Sequence, residues 1–215
     1  MAQKWSDLSS RAIVISFFLL VGWIIGRDLM AMLQREHIEI IRVASKASVL
    51  AFYVLVAWLI LIRSQPIAKA KGWQPRISAL VGSNLFFFGV PFLVPKSDLS
   101  PTLYATSALF VIGGGIAATY SLSYLGRSFS IMAQARRLVT DGPYRFVRHP
   151  LYLAEFISYL GVFIQYASWI SAALLVVQCG FQIRRMLNEE ALLQMAFPEY
   201  AGYATHRARF LPGVW

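Results

Sequence analysis

The chain has 215 residues, of which 58% are apolar and only 14% are charged. Ordinary globular domains carry roughly a quarter charged residues, so this composition is too apolar for a soluble protein, and it excludes disorder as well. We therefore expect an all-α, polytopic integral membrane protein. The net charge of +10 is typical of basic cytoplasmic loops that face anionic lipids, so we expect membrane lipids as partners and no nucleic acid. The single cysteine, Cys179, excludes an internal disulfide and a cysteine-rich metal site, and no metal is expected.

Five stretches of low charge predict the membrane helices. In chain order they are residues 12–26, 47–62, 77–95, 101–126 and 151–183. A spanning helix needs about 20 residues, so the first two stretches borrow flanking residues, and the fifth, which contains Glu155, is too long for one span. Gly161 and residues 165–168 favour a turn there, which gives a tight hairpin and six helices. One long tilted helix, giving five, is the alternative.

The basic residues predict the orientation. With six spans, 15 of the 20 Lys and Arg residues lie in the N-terminus, the second and fourth loops and the C-terminus. Because basic residues concentrate on the cytoplasmic side, we expect both termini and the loop 126–150 in the cytoplasm, as in a bacterial inner membrane. Lys4 and Arg11 precede the first apolar run as in a signal peptide, but no small-residue cleavage site follows, so we expect a retained helix. Residues 1–125 form the N-terminal transmembrane helices, and residues 126–215 form a C-terminal region with a cytoplasmic site, within one structural unit.

The first polar cluster is the sequence DGPYRFVRHPLY at residues 141–152. Its Asp-Gly-Pro start predicts a turn, and the proline after His149 pushes that histidine out of the α region. Pro150 suits the first turn of a helix, and a helix N-terminus beside Arg145 and Arg148 favours a carboxylate or phosphate. The alternative is a basic juxtamembrane loop that holds lipid headgroups.

The second polar cluster follows the last membrane helix. Glu189 and Glu190 stand beside an apolar stripe at its end, where adjacent carboxylates are unusual in a chain with only ten acidic residues. Pro198 predicts the end of this helix and the start of a short one. The alternative is an amphipathic helix on the bilayer surface with a solvated acidic start. Together the two clusters suit S-adenosylmethionine, whose carboxylate, adenine and sulfonium would meet the helix N-terminus, Tyr144 and the glutamates or ring faces.

An ordered set of motifs resembles a known family. The set is Gly142-Pro143-Tyr144, Arg148-His149-Pro150-x-Tyr152, Glu189-Glu190, Tyr200-x-x-Tyr203 and Arg209-Phe210-Leu211-Pro212. It is similar to the isoprenylcysteine carboxyl methyltransferases, which are grouped with membrane phospholipid methyltransferases, and the likeness covers roughly residues 125–212. The resemblance implies a multi-helix membrane methyltransferase that binds S-adenosylmethionine at the cytoplasmic ends of its C-terminal helices and acts on a lipophilic acceptor.

The resemblance also implies roles for single residues. The residues expected in the cofactor pocket are Tyr144, His149, Pro150, Tyr152, Glu189 and Glu190. Those expected in catalysis are Arg148, which would orient the acceptor, and Glu190. Those expected to bind the acceptor are Arg148, His206, Arg207 and Arg209.

Departures from the family pattern concern the acceptor. Pro198 stands where the family usually has glycine, and Arg207-Ala208 replaces a Val-Pro pair. His206 occupies a position often held by arginine, and histidine is only partly charged near pH 7. We therefore expect a lipid or another small lipophilic molecule as the acceptor, rather than a prenylcysteine.

Two rival functions fit parts of the same pattern. Sterol-type membrane reductases have a similar Arg-His-Pro-x-Tyr tail and use NADPH, whose phosphate would meet Arg127, Arg136 and Arg137. The chain is short for that class, and Gly-Pro-Tyr before the arginine favours the methyltransferases. The second rival is a non-enzymatic membrane protein on the same scaffold, such as an assembly factor or a lipid-binding protein.

Overall fold

The computed structural model describes residues 2–34, 39–89, 93, 94, 96 and 98–213. Within these residues the α-helices are, in chain order, α1 Ala2–Leu33, α2 Ile40–Ile62, α3 Gln74–Gly89, α4 Pro101–Leu125, α5 Pro150–Gln165, α6 Trp169–Ala196 and α7 Tyr200–Thr205. Short 3-10 turns form at Gly126–Ser128 and Gly142–Arg145. In the described part of the chain the strands are two residues long, β1 Ala68–Lys69 and β2 Gln134–Ala135, and they pair antiparallel. The predicted all-α class is confirmed.

Among the described residues, four helical segments are long and apolar enough to cross a membrane. They are Val14–Leu33, Ile40–Ile62, Pro101–Ser128 and Trp169–Ala196, and α5 is a shorter apolar helix. Large apolar side chains such as Trp23, Val54 and Leu109 are more than half exposed on the outside of the bundle, which is the surface that lipid tails would cover. The predicted span 77–95 begins within α3, and residues 90–92 and 95 lie outside the described part. The polytopic membrane fold is confirmed, whereas its orientation stays a prediction.

The stretch 151–183 contains two helices, as predicted. The turn is fixed by Ser168, whose hydroxyl accepts the N–H of Ser171, while the Ser171 hydroxyl accepts the N–H of Ser168. This reciprocal capping satisfies N–H groups that a helix start leaves unpaired. The expected tight hairpin is wrong in one respect, because α5 packs mainly on α4 and α6 packs mainly on α3.

Small residues allow α4 and α5 to approach closely. A Cβ on Gly114 would lie 2.3 Å from Oγ of Ser158 and 2.7 Å from the carbonyl oxygen of Ala154. On the same face the Ser107 hydroxyl donates to the carbonyl of Gly161 at 2.7 Å. Helices in lipid are held by such contacts, since lipid tails are as apolar as the helix surfaces. Gly114 therefore has a packing role at the contact between α4 and α5.

The segments after α4 fold across one end of the bundle. Strand β2 pairs with β1 beside α6, and residue 147 forms a parallel bridge with residue 208 in the C-terminal tail. These pairings place loop segments beside the start of α5 and beside α6. The division of the chain at residue 125 stays a prediction.

Candidate active site

The turn before α5 has the predicted form. Gly142 adopts a φ of +56°, and a Cβ there would lie 2.3 Å from Cε1 of Tyr124, so glycine is required. His149 has φ −126° and ψ 58°, outside the α region, and Pro150 begins α5. The sequence therefore places Arg148 and His149 immediately before a helix that enters the bundle.

The C-terminal tail fixes these two residues through the backbone. The N–H of Arg148 donates to the carbonyl of Ala208 at 2.9 Å, and the N–H of His149 donates to the carbonyl of Arg209 at 3.1 Å. The C-terminal tail can reach the start of α5 because the chain turns after α6. Helix α6 ends at Ala196 and α7 begins at Tyr200, with Pro198 between them as predicted.

Helix α7 adds a second link to the same segment. The hydroxyl of Tyr203 donates to the carbonyl of Tyr144 at 2.8 Å. Burial raises the pKa of Tyr203 to about 12. Burial, with a smaller contribution from the charge of Glu189, also raises the pKa of Tyr144 well above its usual value. Both phenols therefore remain protonated hydrogen-bond donors at physiological pH.

Glu190 binds three basic side chains. Its Oε1 lies 3.0 Å from Nε2 of His149 and 3.1 Å from Nη1 of Arg148. Arg209 donates from Nε to both carboxylate oxygens at 3.0 Å and from Nη2 to Oε2 at 2.9 Å. Glu190 is only 7% exposed, so its charge is compensated by these partners rather than by water. The carboxylate joins the end of α6 to the start of α5 and to the tail.

A cavity opens beside this cluster. Its volume is ≈ 110 Å³. Of the residues predicted from the sequence, those that line it are Arg148, Tyr144, His149, Tyr152 and Glu189. Pro150 and Glu190 are buried close by but do not line it. Glu190 therefore acts on the cavity through Arg148 and His149.

One wall of the cavity is formed by an aromatic and charged stack. The Tyr152 hydroxyl donates to the carboxylate of Glu189, and the rings of His149 and Tyr152 stack with centroids 5.5 Å apart and planes at 20°. The guanidinium carbon of Arg185 lies 4.7 Å from the centre of the Tyr152 ring. Positive, negative and π groups are thus concentrated in one small region.

Arg185 is a cavity residue that sequence reasoning missed. It is 5% exposed and lines the cavity beside Glu189. A signal was present, since Gln178, Gln182, Arg185 and Glu189 recur at spacings of four, three and four and so share one face of α6. Polar residues on one face of a membrane helix indicate a functional interior.

Arg136 and Arg137 also line the cavity, although they were considered only for a nucleotide phosphate. Arg136 is buried and donates from Nε to the carbonyl of Ser64 at 2.7 Å and from Nη2 to Oε1 of Gln134 at 2.6 Å. Arg127, the third arginine of that set, does not line it.

The three basic residues expected at the acceptor end are separated. His206 is exposed, and its Nδ1 lies 2.9 Å from the carbonyl oxygen of Gly202. Arg207 is exposed and donates to the carbonyl of His206. Neither lines the cavity, and only Arg209 reaches the cluster, through Glu190. The acceptor role of these residues stays a prediction.

Some buried polar atoms around the cavity lack a hydrogen-bond partner among the described residues. They include the hydroxyl of Tyr144 and the Nε atoms of Arg148 and Arg185. Buried donors are nearly always paired in proteins, so donors at a cavity bind either water or a polar ligand. The donors would suit a ligand with acceptor groups such as a carboxylate.

The sequence of this chain is similar to known proteins over about half of its length. Residues 96–200 match the phospholipid methyltransferase family. The chain is 33% identical over 120 residues to protein-S-isoprenylcysteine O-methyltransferase of Schizosaccharomyces pombe, covering 53% of this chain and 50% of that protein. It is 33% identical over 97 residues to the cobalt-zinc-cadmium resistance protein CzcN of Cupriavidus metallidurans, covering 43% of this chain and 45% of that protein.

A solved structure shares the fold. It is the eukaryotic intramembrane Ras methyltransferase ICMT, with a TM-score of 0.51, 20% identity, and coverage of 97% of this chain and 77% of that chain. By contrast, the sequence matches span only about half the length of the curated relatives. The resemblance to isoprenylcysteine carboxyl and phospholipid methyltransferases that was drawn from the motifs is confirmed.

Proposed function

On the premise that residues 96–200 belong to the phospholipid methyltransferase family, we propose that this chain uses S-adenosylmethionine to methylate a lipophilic acceptor at the cytoplasmic membrane face. One observation carries the proposal: the motif residues Tyr144, Arg148, His149, Tyr152 and Glu189, which are scattered over 46 positions of the sequence, converge on one cavity. Such convergence of polar groups in a concave site is the usual mark of a ligand site.

The residues present fit the cofactor. The rings of His149, Tyr152 and Tyr144 at the cavity offer surfaces for an adenine or a sulfonium. The unpaired donors of Tyr144 and Arg185 are available for its acceptor atoms, and Glu189 supplies a negative charge. When bound, S-adenosylmethionine would supply an electrophilic methyl group.

The chain's own residues would contribute positioning rather than proton transfer. Glu190 holds Arg148 and His149 in fixed orientations, and the tail fixes their backbone, so the cavity wall is pre-organised. Transfer between two bound groups gains most from such alignment and from exclusion of water. A carboxylate acceptor is already ionised at pH 7 and needs no strong base. Arg148, with one unpaired buried donor, would orient the acceptor.

The acceptor is proposed to be a lipid or another small lipophilic molecule. The outside of the bundle is apolar, so such a molecule can reach the site from the bilayer, in a membrane such as a bacterial inner membrane. The expectation that prenylcysteine is a poor acceptor rests on His206 in place of an arginine. A direct comparison of the two acceptor classes tests that expectation.

Cofactor binding tests the proposal independently of the acceptor. Calorimetry on purified protein in detergent would compare S-adenosylmethionine, S-adenosylhomocysteine and NADPH, with His149→Ala and the exposed His206→Ala as a matched pair. We expect micromolar to sub-millimolar binding of both adenosyl ligands, weakened by the first substitution and unchanged by the second. Binding of NADPH with no response to either adenosyl ligand would favour the reductase instead. The absence of binding by all three would favour a non-enzymatic role.

A further inference from the structure

A groove that is separate from the candidate site lies between the start of α3 and the middle of α6. Its volume is ≈ 380 Å³, and Ile77, Val177 and Phe181 line its apolar part. Among the described residues, none lines both the groove and the cavity. The two lie on different faces of α6, because Arg184 lines the groove whereas its neighbour Arg185 lines the cavity.

The two helices are joined by their own contacts, and the groove between them is open. Nδ2 of Asn188 donates to the hydroxyl of Ser78 at 2.9 Å, and Nε2 of Gln178 donates to the carbonyl of Gly82 at 2.5 Å. These two contacts show that α3 and α6 run in opposite directions. Gly180 lines the groove, and a Cβ there would meet none of the described residues within 4 Å. The groove therefore has room for a further molecule.

The inner part of the groove faces the membrane. Its α6 wall lies within the segment Trp169–Ala196, which is apolar enough to span a bilayer. Ile77 and Val177 are 43% and 47% exposed. Exposed apolar side chains at this depth are covered by lipid tails, which are as apolar as the side chains themselves. An acyl chain therefore suits this part of the groove.

The other end of the groove is basic and aromatic. Arg184 lies seven residues from Val177, about 10 Å along α6, toward its C-terminal end. Because α3 runs opposite to α6, the start of α3 lies at this same end. Trp73 lines the groove there and is 74% exposed, and it is flanked in sequence by the exposed cations Lys71 and Arg76. Tryptophan and basic residues are enriched together where a membrane meets the cytoplasm.

The charges at this end have no acidic partner in the part of the chain that the structure describes. No ion pair forms there with Lys71, Arg76 or Arg184, and no described carboxylate lines the groove. An apolar groove that ends in several cations is complementary to an amphiphile with a negative headgroup.

We propose that this groove binds an anionic phospholipid, with the phosphate at Arg184 and one acyl chain along Val177 and Phe181. A guanidinium pairs well with a phosphate, and the neighbouring cations favour a headgroup with net negative charge over one that carries a choline. The lipid is a structural partner of α3 and α6 rather than the methyl acceptor, because the cavity lies on another face of α6. The inference does not depend on the proposed function.

Quenching of tryptophan fluorescence tests this assignment, because Trp73 lies in the groove. Purified protein in a neutral detergent would be titrated with phosphatidylglycerol or phosphatidylcholine that carries bromine on its acyl chains, which quenches tryptophans in contact with the chains. The signal of Trp73 is the difference between wild type and Trp73→Phe, since other tryptophans such as Trp23 are exposed elsewhere on the bundle. Trp73 is mostly exposed, so this substitution should preserve folding.

The variants remove either the charge or the open space. Arg184→Gln removes the cation, and its matched control is Arg127→Gln, at an exposed arginine that does not line the groove. Gly180→Leu fills the groove, and its matched control is Gly113→Leu on α4. At both glycines a Cβ would meet none of the described residues within 4 Å.

We expect Trp73 to respond to phosphatidylglycerol at concentrations about tenfold or more below those of phosphatidylcholine. Arg184→Gln should reduce this preference about fivefold, the effect of one basic residue that faces an anionic lipid, and Arg127→Gln should retain it. Added salt should weaken the preference. Gly180→Leu should lose the Trp73 signal with both lipids, whereas Gly113→Leu should keep it.

An equal response of Trp73 to the two lipids, or no response to either, would overturn the proposal. These comparisons do not depend on whether the groove variants fold. A preference that a folded Arg184→Gln protein leaves unchanged would also overturn it. If Trp73 responds to neither lipid and the wild-type protein is a dimer that Gly180→Leu converts to monomers, the groove is an interface between two copies of the chain instead.

Discussion

Replacing Glu190 by glutamine should destabilise the protein, because one carboxylate holds three basic groups. The substitution keeps the side-chain shape, removes the charge, and turns an amide N–H₂ toward Arg148 or Arg209. Breaking a buried ion pair by removing one partner costs about 3–5 kcal/mol. The side chains of Arg148 and Arg209 are 14% and 22% exposed, so water compensates part of the loss and the lower end of that range applies. We expect the free energy of unfolding to fall by about 3 kcal/mol.

A double-mutant cycle isolates the strongest contact of this cluster. Arg209 makes three contacts of 2.9–3.0 Å with Glu190, so Glu190→Gln and Arg209→Gln should be coupled by about 1–3 kcal/mol in thermal or denaturant unfolding in detergent. Glu199→Gln is the matched control, since it removes one carboxylate at an exposed position and should change stability by less than about 0.5 kcal/mol. Additive effects of the two cluster substitutions, or a Glu190→Gln protein as stable as wild type, would refute this account of the cluster.

Three further predictions follow from the fold. Gly114→Ala should destabilise the α4–α5 contact by about 1–3 kcal/mol in thermal unfolding, whereas Gly113→Ala, where a Cβ meets open space, should be tolerated. Because the pKa of Tyr203 is raised from 10.0 to about 12, the stability that its protonated form contributes is complete below pH 10 and is lost between pH 10 and 12. Alkaline unfolding curves of Tyr203→Phe should therefore be flatter than wild type across that interval. Reporter fusions at the C-terminus and near Lys96 should give cytoplasmic and external signals respectively, and identical signals would contradict the six-span orientation.

The positions of the helices could be predicted from the sequence wherever one local feature, such as a charge-free run or a proline, determined them. Charge-free runs located the long helices, and the Ser168 region marked the turn between α5 and α6. Proline chemistry gave the start of α5 at Pro150 and the end of α6 before Pro198. The packing partners of α5 and α6 were not accessible, since the sequence does not show that Gly114 admits Ser158 of α5.

The sequence predicted which residues belong to the candidate site better than it predicted how they are arranged. The motifs identified Tyr144, Arg148 and His149 as neighbours, and all three line the cavity. Sequence order could not show that Glu190 points at basic residues while Glu189, its neighbour, faces the cavity, because adjacent helical residues lie about 100° apart. Arg185 was missed because it entered the sequence analysis only as one of the basic residues counted for orientation.

The sequence also did not show which basic residue near the C-terminus reaches the site. His206 was singled out because it replaces a basic residue of the family pattern. In the structure it lies at the exposed end of α7, and the backbone of the tail delivers Arg209 to the buried cluster instead. Which of several consecutive basic residues turns inward depends on the pairing of residues 147–149 with 208–209, which is a tertiary contact.

Transfer of a labelled methyl group tests the central claim most directly. Purified protein, reconstituted in vesicles, would receive S-adenosylmethionine labelled in its methyl group, together with a total lipid extract or a prenylcysteine analogue. Arg148→Gln, at the cavity, and Arg127→Gln, outside it, form the matched pair. We predict label in an organic-soluble product, more from the lipid extract than from the prenylcysteine, with loss of transfer in Arg148→Gln and retention in Arg127→Gln. Equal transfer by both variants, or no labelled product with any acceptor from a preparation that also fails to bind S-adenosylhomocysteine, would contradict the assignment of this cavity as a methyltransferase site.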